Sequence, residues 1–487
     1  MKTAKQYIES LGQLKLNLYL LGEKVDDWVN HPIIRPSINA VAMTYKIANE
    51  PENKELATTV SSLTEQKVSR FNALFESTAD LVSKVKLQRR LGQGTSCCFQ
   101  RCVGLDGMNA VFSTTYEIDE RYGTEYHQRF TKWLKYVQEN DLCVAGCMTD
   151  VKGHRGKAPS EQADPDMFVH IVEKRKDGIV IRGAKASQTG AANSHEQLLM
   201  PTLRLREADK DYAVSCAVPT DAEGVLLIYG RQSCDTRKLE GGDIDVGNCA
   251  FCGQETLTVF NNVFVPWERV FMCGEYDFSL MLVERFAGYH RQSYGGCKPG
   301  VGDVLIGAAA SMADYNGTRN SSHIRDKLAE MIFLVETMYS CGLACSYEGW
   351  KTKAGNYQVD ILLANVCKLN VTRLPYEISR LAEDIAGGLL VTLPSEKDLK
   401  HPEIGPYLEK YLKGVEDVPT EDRFRMLTLI HAMVYGLAAP SYRTESMHGA
   451  GSPQAQKIMI ERETDMEAKQ KLARKIAGID EREDVLA

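Results

Sequence analysis

The sequence predicts an α+β protein in three parts: an N-terminal α-helical domain, a middle β-domain and a C-terminal α-helical bundle domain. Three observations predict it. Apolar residues recur at helical spacing up to about residue 138 and again after Trp267. Between 139 and 275 the period shortens to that of strands, with Gly, Asp and Asn clusters separating the runs. At 487 residues the chain is also too long for one ordinary core. The expected domains are 1–138, 139–275 and 276–487.

In chain order, MKTAKQYIESL reads as an amphipathic helix. Pro32 and Pro36 in HPIIRP predict a loop, and Pro51 predicts a second break. VSSLTEQKVSRFNALFESTADLVSKVKLQRRLGQ and YHQRFTKWLKYVQEND carry helical periodicity, so the first domain is expected to be helical throughout. FVHIVEKRKDGIVIRGAKA predicts a hairpin turning at Asp177-Gly178. YAVSCAV, GVLLIYG and ETLTVFNNVFVP follow as strands. Beyond Trp267 come VGDVLIGAAASMADYNG, HIRDKLAEMIFLVETMYSCGLACSYEGW and VDILLANVCKLNVTRLPYEISRLAEDIAGGLLV, long helices with apolar faces. Small residues such as Ala308, Ala309 and Ala310 allow the close approach of a bundle, while Pro375 kinks or breaks the third helix. A Pro-interrupted stretch, 394–423, leads to RFRMLTLIHAMVYGLAA, and the tail ERETDMEAKQKLARKIAG is charged and helical.

A net charge of −7 gives no electrostatic reason to expect nucleic acid. No run of eighteen apolar residues and no signal sequence is evident, which predicts a cytoplasmic protein without a membrane span. Fourteen cysteines in such a chain are expected as buried thiols rather than a disulfide framework.

The chemistry is expected in ERFAGYHRQSYGGCKPGV, residues 284–301, which crowds His290, Arg291, Gln292, Tyr294, Cys297 and Lys298 together. Gly295 and Gly296 predict a tight turn just before Cys297. Upstream, CCFQRC supplies Cys98 and Cys102, four apart and so expected on one face of a helix, with Cys97 pointing elsewhere. Three thiolates and an imidazole suit an iron–sulfur cluster with the imidazole as the odd ligand. On spacing alone three packed thiols serve equally well: Cys341 and Cys345 have the same spacing in a helical run and fit plain packing.

Several stretches together resemble the 4-hydroxybutyryl-CoA dehydratase family. They are CCFQRCVGLDGMNAVFSTTYEID, MTDVKGHRG, GAKASQTGAANSHE, IYGRQSCDTRK, RFAGYHRQSYGGCKPGVGDV, RLAEDIAGG and YRTESMHGAGSPQAQ. The likeness runs from the N-terminus to about Ile476 and is poor over 394–423. It implies an acyl-CoA dehydrogenase-like architecture with FAD and a [4Fe–4S] cluster, ligated by Cys98, Cys102, His290 and Cys297. It also implies radical dehydration of 4-hydroxybutyryl-CoA to crotonyl-CoA, with vinylacetyl-CoA Δ-isomerase activity. The β-hydrogen to be removed is not acidic. In the family's solution the α-carbon is deprotonated, FAD takes one electron, and His290 then removes the β-proton.

By the same resemblance Glu445, Glu255, Tyr294 and Lys298 are acid–base or polarising partners, although a buried salt bridge also accounts for either glutamate. Thr149, Asp150, Lys152 and Arg155, with Gln188, Thr189, Gly190 and Asn193, fall in the expected flavin loops. Ala386, Gly387 and Gly388 would meet the flavin of a neighbouring subunit. The family pattern carries a histidine where this chain has Ser187 and an acidic residue where it has His154. These two departures keep an isomerase-only reading open. A two-component flavin-dependent aromatic hydroxylase shares the fold without the cysteine set, and a redox-sensing or scaffold protein is the reading outside catalysis. The Ala- and Gly-rich faces of the bundle helices predict a homotetramer, built as a dimer of dimers.

Overall fold

The computed structural model describes residues 1–231, 236–248 and 250–480. The GRQSCDTRK segment therefore lies partly outside the described residues, at 232–235. The chain opens with helix α1, Ala4–Leu11, capped by the Thr3 hydroxyl on the Gln6 N–H, and α2, Arg35–Asn49. Helices α3, Thr78–Thr95, α4, Cys102–Tyr122, and α5, Tyr126–Glu139, follow. This region is not helical throughout. Leu21 and Gly22, at φ 52° and 89°, reverse the chain between strands β1, Leu18–Leu20, and β2, Glu23–Lys24. A second hairpin, β3, Thr58–Val60, with β4, Lys67–Ser69, replaces the first third of the expected long helix. That helix starts only where the Ser77 hydroxyl caps the Asp80 N–H.

The middle segment holds β5, Val144–Cys147, β6, His170–Lys174, β7, Gly178–Thr189, β8, Glu196–Leu199, and β9, Val214–Pro219. It continues through β10, Val225–Tyr229, β11, Glu255–Pro266, and β12, Val270–Cys273. Six strands form one sheet in the order β2-β1-β10-β11-β7-β6, and four form another, β12-β9-β8-β5. The hairpin expected at Asp177-Gly178 is the antiparallel β6–β7 pair, with Ile171 opposite Ile181. Strand β1 reaches across from the N-terminal segment to pair in parallel with β10, Leu18 opposite Leu227. The β7–β11 ladder ends with Glu255 opposite Thr189.

The C-terminal segment is built around α6, Ser279–Tyr315, a helix of 37 residues that packs against α3 and α4. Helices α7, Ser322–Tyr347, α8, Ile361–Val371, α9, Leu374–Ala386, and α10, Thr420–Val434, complete the bundle. The tail forms α11, Pro453–Arg462, and α12, Met466–Ala477. Pro375 stands in the first turn of α9, so it separates α8 from α9 rather than kinking one helix. Helix α7 is long and apolar enough to cross a membrane by length and composition. One of its faces, with Ile324, Leu328, Met331 and Met338, is buried in the bundle.

Gly295 and Gly296 make no turn: both lie inside α6. Glycine serves either purpose, and here it thins the helix. A Cβ on Gly295 would stand 2.6 Å from the Gly342 Cα of α7 and 2.8 Å from the Cys367 sulfur of α8, and one on Gly296 would stand 2.6 Å from the Val85 carbonyl of α3. Three helices thus approach α6 at its middle, where the site residues lie. Gly295→Ala is expected to overpack this crossing, costing about 1–3 kcal/mol. The fall in the unfolding midpoint measures it, and an unchanged midpoint would contradict the packing account.

Candidate active site

Where α6 passes the connection between α3 and α4, the side chains line a small cavity of about 20 Å³. Cys98, Cys102, His290 and Cys297 all line it, with Tyr294, Lys298 and Glu445. Helix α6 presents His290, Tyr294, Cys297 and Lys298 at intervals of four, seven and eight residues, one stripe facing the cavity. Cys98 and Cys102 do not share a helix. Residues 96–101 are irregular, with Ser96 at φ 50° and Gln100 at φ 68°, and α4 begins only at Cys102. These left-handed residues break the helix, and Cys98 comes to the cavity from an irregular loop. Cys97, expected to point away, is also at the cavity wall.

The three thiols are free and their donor atoms are soft. Burial pushes Cys98 and Cys102 well above the usual thiol range, and Cys297 up to about 11 against the pull of Lys298. They are therefore neutral thiols until a cation displaces their protons. Among the described residues, no three His, Cys, Asp or Glu side chains converge as closely as a single metal ion needs. A four-iron cluster spreads its ligands over the corners of a cube, so three thiols and an imidazole lining one cavity suit it by donor type.

His290 stacks on Phe286 with ring centroids 5.4 Å apart and meets the edge of Tyr294 at 5.1 Å. Its Nδ1 donates to Asp106 Oδ2 at 2.9 Å, and Lys84 stands 2.5 Å from the other Asp106 oxygen. Burial alone would raise the Asp106 carboxyl, but Lys84 and His290 hold it below its ordinary value.

Two turns further along α6, Lys298 lies 3.1 Å from Glu445 and also donates to the Ser441 carbonyl. Burial would lower the Lys298 ammonium, yet Glu445 and the nearby thiols hold it above its usual range. Lys368 of α8 is fully buried, 4.3 Å from the Tyr294 ring centroid, with Lys298 at 5.0 Å. Burial and the Lys298 charge push Lys368 down to about 7. The Tyr294 hydroxyl is buried, has no hydrogen-bond partner among the described residues and points at Gly449. Glu255 accepts a hydrogen bond from Thr189 at 2.7 Å, and burial together with the Glu445 charge raises it to about 8.

The two expected flavin loops are tied to each other. Lys185 donates to the Met148 and Met200 carbonyls and stands 2.5 Å from Asp150, while Gln188 donates to the Thr149 carbonyl at 2.9 Å. Gly190 takes φ 72° against Gln100, where a side chain would crowd the cysteine loop. Asn193 donates to Ser37 and to Gln100 Oε1 at 2.8 Å, buttressing that same loop. Lys152, Arg155 and His154 are exposed, and Ser187 is left-handed at φ 55°. Ala386, Gly387 and Gly388 stand outside the cavity lining, and among the described residues nothing but their immediate chain neighbours lies within 4 Å of a Cβ built on either glycine. Sequence reasoning missed Asp106, Lys84 and Lys368. The available signal was a charged residue on an otherwise apolar helix face.

Profiles of the 4-hydroxyphenylacetate 3-hydroxylase N-terminal and C-terminal regions match residues 3–272 and 279–478. A 4-hydroxybutyryl-CoA dehydratase/vinylacetyl-CoA Δ-isomerase of Clostridium aminobutyricum is 62% identical, over 98% of this chain and 99% of its own. The oxygenase component of a 4-hydroxyphenylacetate 3-monooxygenase of Thermus thermophilus is 29% identical, over 85% and 84%. Among solved structures, an oxygen-tolerant archaeal 4-hydroxybutyryl-CoA dehydratase from N. maritimus superposes with a TM-score of 0.97. It is 57% identical, covering 99% of this chain and 95% of its own. An oxygenase component of 4-hydroxyphenylacetate 3-monooxygenase, in complex with FAD, shares the fold at a TM-score of 0.85 and 24% identity, covering 97% and 98%.

Proposed function

The chain belongs to the 4-hydroxyphenylacetate 3-hydroxylase family and within it to the 4-hydroxybutyryl-CoA dehydratases, and on that premise we propose that it dehydrates 4-hydroxybutyryl-CoA to crotonyl-CoA and isomerises vinylacetyl-CoA. The observation that carries the reading is the lining of one cavity by Cys98, Cys102, His290 and Cys297. These four residues are the proposed ligands of a [4Fe–4S] cluster, and FAD is the proposed second cofactor, held at the loops around Thr149–Arg155 and Gln188–Asn193. Bound together, the two supply one-electron oxidation and reduction of the substrate and a Lewis-acid site for its departing hydroxyl.

The proton balance then falls to the protein. Forming crotonyl-CoA removes one proton from C2 and one from C3, sends one away as water with the hydroxyl, and returns one to C4. Three titratable groups are proposed for this task. Glu445, beside the Lys298 ammonium, is suited to accept the C2 proton. His290, aimed by Asp106, accepts the C3 proton. Glu255, raised to about 8, still holds a proton at neutral pH and is suited to donate. The Tyr294 hydroxyl, unpartnered among the described residues, is a donor ready for a substrate oxygen, and its burial keeps competing water out. Isomerisation needs only removal at C2 and return at C4, which Glu445 and Glu255 can perform without His290.

Anaerobically purified protein offered 4-hydroxybutyryl-CoA and, separately, vinylacetyl-CoA is expected to form crotonyl-CoA from both. Conversion of neither would end this reading. If Glu255 donates, dehydration holds while it stays protonated and falls as pH rises through about 8, the alkaline limb of kcat. Glu255→Gln is expected to lose activity together with that limb, and a limb that persists in the variant belongs to another group.

We further propose a homotetramer, a dimer of dimers with flavin at a subunit boundary. Its support is the exposed apolar residues Ile332, Phe333 and Tyr347 of α7 and Val391 beyond α9, and the open space beside Gly387 and Gly388. The division 1–138, 139–275 and 276–487, the wider acyl-CoA dehydrogenase architecture and a cytoplasmic location complete the reading.

A further inference from the structure

Three helices meet behind His290, and each delivers a buried polar side chain: Lys84 from α3, Asp106 from α4 and Ser293 from α6. We propose that Asp106, oriented by Lys84, is a positioning residue that fixes the tautomer of His290 and aims its Nε2 at the cavity. The inference rests on the reading of His290 as cluster ligand and base.

A carboxylate only accepts hydrogen bonds, so the 2.9 Å contact from Asp106 Oδ2 to His290 Nδ1 requires the ring proton on Nδ1. The Nε2 lone pair is then free toward the cavity, as an iron ligand or a proton acceptor must be. Ser293 donates to the same Asp106 oxygen at 2.9 Å, which occupies its second lone pair. Lys84 stands 2.5 Å from the other oxygen and is itself anchored by the Tyr289 carbonyl and Gln292 Oε1, each at 2.9 Å. Neither Lys84 nor Asp106 exposes its side chain, at 1% and 0%, so water cannot replace either partner. Once His290 takes a proton on Nε2, its other N–H already faces an anion. On losing that proton the ring returns to the same tautomer.

The pairing makes an unusual forecast for Asp106→Asn. An amide has one oxygen, and the Lys84 ammonium claims it, which turns the NH2 toward His290. The imidazole must then accept at Nδ1 and carry its proton on Nε2, with no lone pair left for the cavity. In Lys84→Met/Asp106→Asn the oxygen is free to face His290 and Ser293 again. A role in packing alone would leave the double variant no better than the single one.

The readout is the 57Fe Mössbauer spectrum of anaerobically purified protein, beside the rate of dehydration. In the parent, one iron in four is expected to stand apart as imidazole-bound. Asp106→Asn is expected to lose that separate iron and about 10- to 100-fold in dehydration rate. The double variant is expected to recover both. A parent spectrum without a distinct iron overturns the ligand role of His290 and this inference with it. A distinct iron in the parent that persists in Asp106→Asn at the parent rate overturns the positioning role alone. A double variant no better than the single one overturns the part of Lys84. Should Asp106→Asn fail to fold, the double variant is compared directly with the parent: a retained distinct iron supports the inference, and its loss overturns it.

Discussion

His290→Cys protein, purified without oxygen, is expected to keep four irons per chain and to lose dehydration. Thiolate binds iron more tightly than imidazole, and position 290 already lines the same cavity as Cys98, Cys102 and Cys297. The substituted thiolate does not leave the iron readily, and it lacks the second nitrogen that Asp106 holds. A lost general base costs about 10²- to 10⁴-fold in rate. Vinylacetyl-CoA isomerisation, proposed to run through Glu445 and Glu255, is expected to survive in part. Cys98→Ala should differ, losing iron and both activities together. Iron content and the two rates decide the matter, and a His290→Cys enzyme that dehydrates at near the parent rate would show that the base lies elsewhere.

Gly449→Ala is expected to lower dehydration about 100-fold while leaving iron content near the parent level, the scale set by a misplacement of about 1 Å in a catalytic group. The backbone at Gly449 is ordinary, at φ −63°, so conformational freedom is not why glycine stands there. A Cβ would instead overlap the Tyr294 hydroxyl. Lys298 and Lys368 stand 5.0 and 4.3 Å from the centre of that ring, which is itself buried, so it cannot step back freely. The added methyl must move either the tyrosine or the Gly449–Gly451 turn, whose Ala450 carbonyl accepts from Arg291 at 3.1 Å. Both movements displace a wall of the site. Kinetics with iron analysis on the same sample tests this, and an unchanged rate would remove Tyr294 from the chemistry.

Much of the framework was legible because period is a local property. The β6–β7 hairpin, the strands near 214–266 and the bundle helices all follow from residues close in sequence. The cysteine loop was not legible, since a spacing of four describes both Cys341–Cys345, inside a helix, and Cys98–Cys102, outside one. What separates them is the left-handed backbone at Ser96 and Gln100, and neither residue type announces it. Gly295 and Gly296 were ambiguous for a related reason: a turn and a close helix crossing both call for glycine, and only the approach of Gly342 decides. The Lys84–Asp106 pair escaped because its meaning lies in His290, 184 residues beyond Asp106. The candidate ligands came from resemblance across whole segments, which spacing could not supply.

The most direct measurement is iron, sulfide and flavin analysis of the protein purified under strict exclusion of oxygen. The account predicts a brown protein with about four irons, four sulfides and one FAD per chain, bleached by air as the imidazole-bound iron oxidises. A yellow protein that carries FAD but no iron would contradict it.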